Sequence, residues 1–396
     1  MLFLRESELA ARILPALTVL LVIMSTVMVG CDRAERTEII TDAENAASST
    51  GVDASVPSEN GQEEESLETA ATPVPKGRRR ALLVGCTTYD DLPEQSHLTG
   101  PVNDVRLVSD MLVDQFRFST EDIVVLSEER GSADLRPLKQ NIVRELEELA
   151  EQASTDDQVV IYFSGHGTQQ PDDDPDSKED LEPDGMDEVF CPADVLVSPF
   201  GDSTSIPNGL SDDELRKYTG DIRASGASIR LVVDACHSGT AVRGNRVYRQ
   251  LRPEQMLPAE SIAVARRRAA RTRSVSSETS GMDGAEGGGL IAFFAAQPHE
   301  PTFKTEMPFG DEDAVSAGSF TYTLVSVLAA SNSNMTYSDL AQRIHDQYVL
   351  MGLVSPTPLI EGIDRDREVL GEHQWPDRSH LSISVTEDGS PKIDAG

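Results

Sequence analysis

Two aliphatic runs in this chain end in small and polar residues. Ile229-Arg230-Leu231-Val232-Val233 leads into Asp234-Ala235-Cys236-His237-Ser238-Gly239, and Gln158-Val159-Val160-Ile161-Tyr162-Phe163 leads into Ser164-Gly165-His166-Gly167. Apolar runs without polar alternation, closed by turn residues, predict buried parallel strands. Further strands are predicted over 81–85, 122–126 and 289–296, with a short one at 381–385. Between them the apolar residues recur at helical spacing. A helix is predicted from near Asn103-Asp104, with Val105, Val108, Met111 and Leu112 on one face. A second covers 135–150 through Leu138, Ile142, Leu146 and Leu149. Others start at Asp212 and cover 320–330 and 337–348, the last with Thr336 and Asp339 as a capping pair. Strands alternating with helices predict an α/β fold, a mostly parallel sheet covered on both faces.

The pattern is different at the ends. Arg5 and Arg12 precede an apolar run over 13–29 that closes in Met28-Val29-Gly30-Cys31. This reads as a bacterial lipoprotein signal with Cys31 as the lipidated residue, or as an uncleaved single membrane anchor. Either reading places the rest of the chain outside the cytoplasmic membrane and tethered to it. Residues 32–76 are rich in acids, Ser, Ala, Thr and Pro and show no apolar period, which predicts a disordered spacer. The folded domain is expected over 77–372, and 373–396 is expected to be a weakly structured tail.

Charge narrows the partners. The 68 Asp and Glu against 34 Lys and Arg give a formal net charge of -34, which excludes nucleic acid as a natural partner and suits basic substrates or cations. Four cysteines in 396 residues do not make a disulfide framework.

The two strands that end in Cys236 and His166 carry the candidate chemistry. In an open α/β sheet, ligands bind beyond the carboxyl ends of the strands. If the two are neighbours, a thiol and an imidazole meet at that edge. A histidine can take the thiol proton and so generate a nucleophilic thiolate. His237, adjacent to the thiol in sequence, is expected to point elsewhere.

Tyr162-Phe163-Ser164-Gly165-His166-Gly167-Thr168-Gln169 and Asp234-Ala235-Cys236-His237-Ser238-Gly239-Thr240 resemble the His and Cys motifs of the metacaspases, caspase-like cysteine peptidases. Asp184-Gly185-Met186-Asp187-Glu188 and Ser211-Asp212-Asp213-Glu214-Leu215 also resemble metacaspase signatures. The resemblance implies a caspase-like three-layer α/β/α sandwich. It also implies an endopeptidase with Cys236 as nucleophile, His166 as general base and acid, and the amides of Gly167 and Cys236 as oxyanion donors. Asp234 stands where animal caspases have Gln, and Pro101 where the family's Gly-Cys-x-Asn-Asp pattern has Cys.

The same resemblance assigns Asp234, Asp104 and Ser164 to an acidic cleft for Arg or Lys, so that cleavage follows basic residues of a protein or peptide substrate. Asp234 also reads as a strand-end cap, and Asn103-Asp104 as a helix N-cap. Acids crowd the segment 172–188. Asp180-x-Glu182-x-Asp184-Gly185 starts like an EF-hand loop, but the twelfth position is Cys191, which excludes one. Calcium is the one cofactor implied, through Asp187, Asp212 and Asp213, although Arg243 occupies the position of a further acid and Ser211 to Glu214 also has the form of a capping box. No organic cofactor is expected. The basic stretch from Arg266 is expected to be a mobile loop in which Arg268, Arg271 and Arg273 are candidate self-cleavage sites. Two rivals stand beside the peptidase: a catalytically idle caspase-fold binding module, and a metal site of Cys236, His237 and His166. The second lacks the paired-Cys spacing of structural zinc.

Overall fold

The computed structural model describes residues 77–174, 182, 184–236, 248–272, 287–297, 300–302, 304–331, 335–362, 364–371, 381–385 and 391–395. All belong to one contact unit, Pro73–Gly396. Residues 1–76, which include Cys31 and the regions expected to be a signal and a spacer, lie outside the described residues, as do His237, Arg243 and Arg273. Among the described residues, no helix is long and apolar enough to cross a membrane.

In chain order the strands are β1 (Arg79–Gly85), β2 (Ile123–Ser127), β3 (Gln158–Ser164), β4 (Gly167–Pro171), β5 (Met186–Phe190), β6 (Leu210–Ser211), β7 (Ser228–Asp234), β8 (Leu290–Phe294), β9 (Lys304–Met307), β10 (Val315–Gly318), β11 (Leu359–Glu361), β12 (Leu381–Val385) and β13 (Pro391–Ala395). The helices are α1 (Pro101–Asp114), α2 (Lys139–Gln152), α3 (Asp212–Ala224), α4 (Pro253–Met256), α5 (Ala259–Thr272), α6 (Ser319–Ala329) and α7 (Tyr337–Leu350).

The central sheet has six strands in the order β11-β8-β7-β3-β1-β2. All pairs are parallel except β11 on β8. Side chains alternate across it. Leu82, Ile161, Phe163, Leu231 and Val233 pack with Ile142, Leu146 and Ile222 of α2 and α3. Leu83, Tyr162 and Val232 pack on the opposite face with Val105, Met111, Phe320, Leu324, Leu340 and Ile344 of α1, α6 and α7. The result is a three-layer α/β/α sandwich whose sheet is buried on both faces, which is why its strands read as unbroken apolar runs.

The predicted strands and helices all form, with shifted ends. The second helix begins at Lys139 rather than 135, because Pro137 stops a short 3-10 turn at Ala133–Leu135. The capping boxes of Ser211 with Glu214 and Thr336 with Asp339 both form. Three expectations are corrected. The basic stretch is not a loop, since α5 runs through Arg266, Arg267 and Arg268 on good helix formers. The tail carries a hairpin, β12 antiparallel to β13, where one strand was expected. A small antiparallel sheet, β4-β5-β6, follows His166 and was not foreseen, its polar strands Gly167–Pro171 and Met186–Phe190 lacking an apolar run.

Candidate active site

Strands β3 and β7 are neighbours, and their register pairs Ser164 with Asp234. His166 and Cys236 each lie two residues beyond that pair. The sheet therefore delivers the imidazole and the thiol to the same carboxyl edge, level with each other. Both are buried, 3% and 1% exposed.

His166 is held on several sides. Its backbone N–H donates to Tyr89 Oη at 2.8 Å, and its carbonyl accepts from Cys191 N–H at 2.9 Å. The Tyr89 and His166 rings lie 5.1 Å apart, tilted by 36°. Its Nε2 is 2.7 Å from the carbonyl of Ser96. A carbonyl only accepts, so Nε2 carries the hydrogen and Nδ1 keeps its lone pair. Nδ1 has no hydrogen-bond partner among the described residues. Burial pushes the His166 pKa down to about 4, against a smaller upward pull from the Ser96 carbonyl. The ring is thus a neutral base at neutral pH. The Cys236 thiol is 3.1 Å from the carbonyl of Glu300, to which it donates. The Glu300 carboxylate in turn accepts from Thr357 N–H and Oγ1, so the Ser355-Pro356-Thr357-Pro358 turn positions the carbonyl against the thiol.

The three cleft residues implied by the resemblance come together, around a residue that sequence reasoning missed. Arg249 has no solvent exposure. Its Nη2 lies 2.5 Å from Asp104 Oδ2, and its Nη1 lies 3.2 Å from Asp234 Oδ1. Nη1 also donates to Ser164 Oγ at 2.7 Å and to the Asp234 carbonyl at 3.1 Å. The carboxylates are held from behind. Asp104 accepts from Ser164 Oγ and from Gly318 N–H, each at 2.8 Å. Asp234 accepts from Thr321 Oγ1 at 2.6 Å. Burial raises the Asp104 pKa, with Arg249 pulling it back and Asp234 adding to the rise. Burial also works against the Arg249 charge, but Asp104 and Asp234 outweigh it and its pKa is raised.

Asp104 is therefore not an N-cap: Gly100 is the N-cap of α1, Pro101 occupies the first turn, and Asp104 points inward. Asp234 ends β7, with its carboxylate between Arg249 and Thr321. Gly318 and Thr321 hold the Asp104 and Asp234 carboxylates in place. Arg249 gives no sequence signal of its own, since it is one of several arginines in an aperiodic stretch.

The backbone of Arg249 is placed as specifically as its side chain. Its carbonyl accepts from Gly167 N–H and from Cys236 N–H, both at 3.1 Å. Its own N–H donates to the Thr302 carbonyl at 3.1 Å, and Leu251 N–H donates to the Gly167 carbonyl at 2.9 Å. The two amides expected to bind an oxyanion thus hold a peptide carbonyl.

Acids from β5 and the start of α3 gather into clusters of their own. Carboxylate oxygens of Asp173, Asp187 and Asp213 lie within 4.8 Å of one another, as do those of Glu182, Glu188 and Asp212. The expected set of Asp187, Asp212 and Asp213 is thus divided between two clusters, and Arg216 pairs with both Asp212 and Asp213. Burial, with Asp212 next, raises the pKa of Asp187 and of Glu188 to about 8.

The profile of the metacaspase, peptidase C14 domain matches residues 79–244. Metacaspase-1 of Pyricularia oryzae is 30% identical over 307 residues, 71% of this chain and 71% of that protein. The chain belongs to the metacaspase family. Metacaspase-1B of Neurospora crassa is 35% identical over 174 residues, covering 43% of this chain but only 36% of that protein, so the chain spans about a third of that relative's length. A solved structure from Geobacter sulfurreducens aligns with a TM-score of 0.47 at 18% identity over 72% of this chain and 92% of that one. The family consists of cysteine peptidases of the C14 class, and the His and Cys motifs of this metacaspase domain fall within the matched residues.

Proposed function

We propose that this metacaspase is an endopeptidase that cuts protein chains after Arg or Lys, with Cys236 as nucleophile and His166 as its base and acid. The observation that supports it best is the occupant of the cleft. A guanidinium lies between Asp104, Asp234 and Ser164, while the carbonyl of the same residue accepts from Gly167 and Cys236. A site that fits Arg in this way is complementary to a basic residue before a scissile bond.

The chemistry follows from the protonation states. Neutral His166 takes the thiol proton on Nδ1, and the thiolate attacks the substrate carbonyl. The Gly167 and Cys236 amides stabilise the oxyanion. His166 then gives its proton to the leaving amine. Water, deprotonated by the same nitrogen, hydrolyses the thioester and restores the thiol.

Calcium belongs to this reading as a regulator. The donors fit it: hard carboxylate oxygens spaced as ligands of one ion bound at about 2.3–2.6 Å. Asp173, Asp187 and Asp213 would hold it, and the bound ion would neutralise acids that repel one another across β5 and α3. Export and tethering through the N-terminal signal and Cys31 complete the proposal, supported by the apolar run over 13–29.

The test is hydrolysis of paired peptides ending in Arg and in Asp by the full chain, with calcium and with chelator, beside Cys236→Ala. Arg-specific cleavage lost in the variant is expected, by roughly a thousandfold or more. Cleavage after Asp overturns the cleft assignment, and silence in every lane favours the idle binding module.

A further inference from the structure

We propose that Tyr89 is a positioning residue for the reaction, holding the His166 imidazole with Nε2 on the Ser96 carbonyl and Nδ1 open to the thiol proton. This rests on the peptidase reading above and names a residue which that reading leaves out.

His166 sits in the step between two strands, since β3 ends at Ser164 and β4 begins at Gly167. A main-chain N–H buried in such a step needs a partner from elsewhere. Tyr89 Oη accepts it at 2.8 Å and donates its own hydrogen to the Cys86 carbonyl at 3.3 Å. With its hydrogen committed to Cys86, the phenol presents a lone pair to His166. Tyr89 is 1% exposed, and burial raises its pKa well above the ordinary value, so it stays protonated through the neutral range. Its ring also covers the imidazole, with centroids 5.1 Å apart. One side chain therefore holds both the main chain and the ring of the base. Gly165 leaves it room, because a Cβ there would lie 3.1 Å from Tyr89 Oη.

Tyr89 and Ser96 come from the same loop, between β1 and α1. That loop is tied to itself and to the sheet. Leu98 N–H donates to the Thr87 carbonyl at 2.8 Å, and His97 Nε2 donates to the Tyr89 carbonyl at 3.2 Å. Glu128, just beyond β2, accepts from the N–H groups of Thr87 and Thr88, both at 2.9 Å. A shift of Tyr89 thus carries Ser96 with it, and both contacts of the imidazole move together. A residue that only filled the core would do so without a hydroxyl, whose burial has to be offset by hydrogen bonds. Phe163 and Phe190 fill the same cluster in that way.

The experiment compares the full chain with millimolar calcium as wild type, Tyr89→Phe, Glu128→Ala and Ile142→Val. Tyr89→Phe removes Oη and keeps the ring. Ile142→Val is the control, because it trims the same apolar cluster from α2 and should lower thermal stability without touching the base. Three quantities are read below the unfolding temperature of each protein. They are kcat and KM on an Arg peptide, the rate at which iodoacetamide alkylates Cys236, and the share of His166 carrying hydrogen on Nε2. Nitrogen NMR of ring-labelled histidine gives the last, with His166→Gln identifying the signal.

Tyr89→Phe should lose roughly 10–100-fold in kcat while KM stays within about twofold. Its alkylation should slow in parallel, and its Nε2–H share should fall toward the mixture of free imidazole. Glu128→Ala should move the same quantities in the same direction, and it decides the question if Tyr89→Phe does not fold. Ile142→Val should leave all three unchanged. Wild-type kcat or a full Nε2–H share in Tyr89→Phe overturns the proposal, and so does a loss that Ile142→Val matches. A wild type that cuts no peptide overturns the peptidase reading alone. Alkylation and the ring nitrogens then still decide whether Tyr89 holds the base.

Discussion

Arg249 and Asp104 form an ion pair in which neither side chain has any solvent exposure. With Asp234 on its other side, the guanidinium is the only cation within hydrogen-bond reach of two buried carboxylates among the described contacts. Removing one partner of a buried ion pair leaves the other charge uncompensated, and that costs more than the pair contributes. Arg249→Ala should therefore lower unfolding stability by about 3–5 kcal/mol. Added benzamidine or methylguanidine should recover part of it by refilling the cleft, whereas neutral urea analogues at equal concentration should not. Thermal unfolding with and without these ligands measures both effects.

His166 makes stability depend on pH in a defined window. Its pKa falls from 6.5 in the unfolded chain to about 4 in the folded one because of burial. Between those values the unfolded chain binds more protons, so stability is full above about 6.5 and is lost as pH falls toward about 4. The loss amounts to about 3 kcal/mol, and His166→Gln should flatten that part of the urea-unfolding profile. The acid limb of kcat/KM on Arg peptides should likewise lie near 4 rather than 6.5, since only the neutral ring accepts the thiol proton.

Asp187 and Glu188 slope the other way. Their pKa values are raised to about 8 in the folded chain from 3.8 and 4.5. The folded chain therefore holds extra protons between about 4 and 8, and stability without metal falls as pH rises through that window. Calcium needs those carboxylates ionised, so binding should release protons and tighten as pH rises toward 8. Calorimetry in buffers of different ionisation enthalpy reads the protons directly. Asp187→Asn should weaken calcium binding at least tenfold, and equal affinity in the variant would exclude this cluster as the site.

Gly318 is a steric prediction. A Cβ there would lie 2.1 Å from Asp234 Oδ2 and 3.0 Å from Arg249 Cζ. Asp234 Oδ2 accepts from Thr321 Oγ1, and the nitrogens on Cζ donate to Ser164 and Asp104, so both groups have little room to yield. Gly318→Ala should destabilise by about 1–3 kcal/mol, and its KM for Arg peptides should rise more than its kcat falls. An unchanged KM would show that the cleft tolerates the shift.

How much of this was legible in the chain depends on distance along it. The strands that end in His166 and Cys236 are local signals, because buried parallel strands need continuous apolar side chains over several residues. The carboxyl-edge rule for α/β sheets then says where both side chains go. The acids of 172–188 and the capping box at Ser211 are equally visible, since each is written within a few residues. Helix α5 was misjudged because its alanines and arginines carry little apolar contrast, although their intrinsic helix propensity is high.

The sequence by itself determined the α/β layering and the thiol and imidazole at one sheet edge, and its resemblance to the metacaspases singled out Asp104 and Asp234. Only the tertiary structure decided what lies between those carboxylates. Asp104, Asp234 and Arg249 come from a helix, a strand end and an aperiodic segment, up to 145 positions apart. No periodic pattern links them, because their pairing arises from the packing of α1 and α6 against β3 and β7. Which of the many arginines loses its hydration to enter that cleft is settled by the backbone bonds of residues 249 and 251 to Gly167, Cys236 and Thr302. Those are contacts between main-chain groups that every residue carries, so the identities of the side chains leave them unwritten.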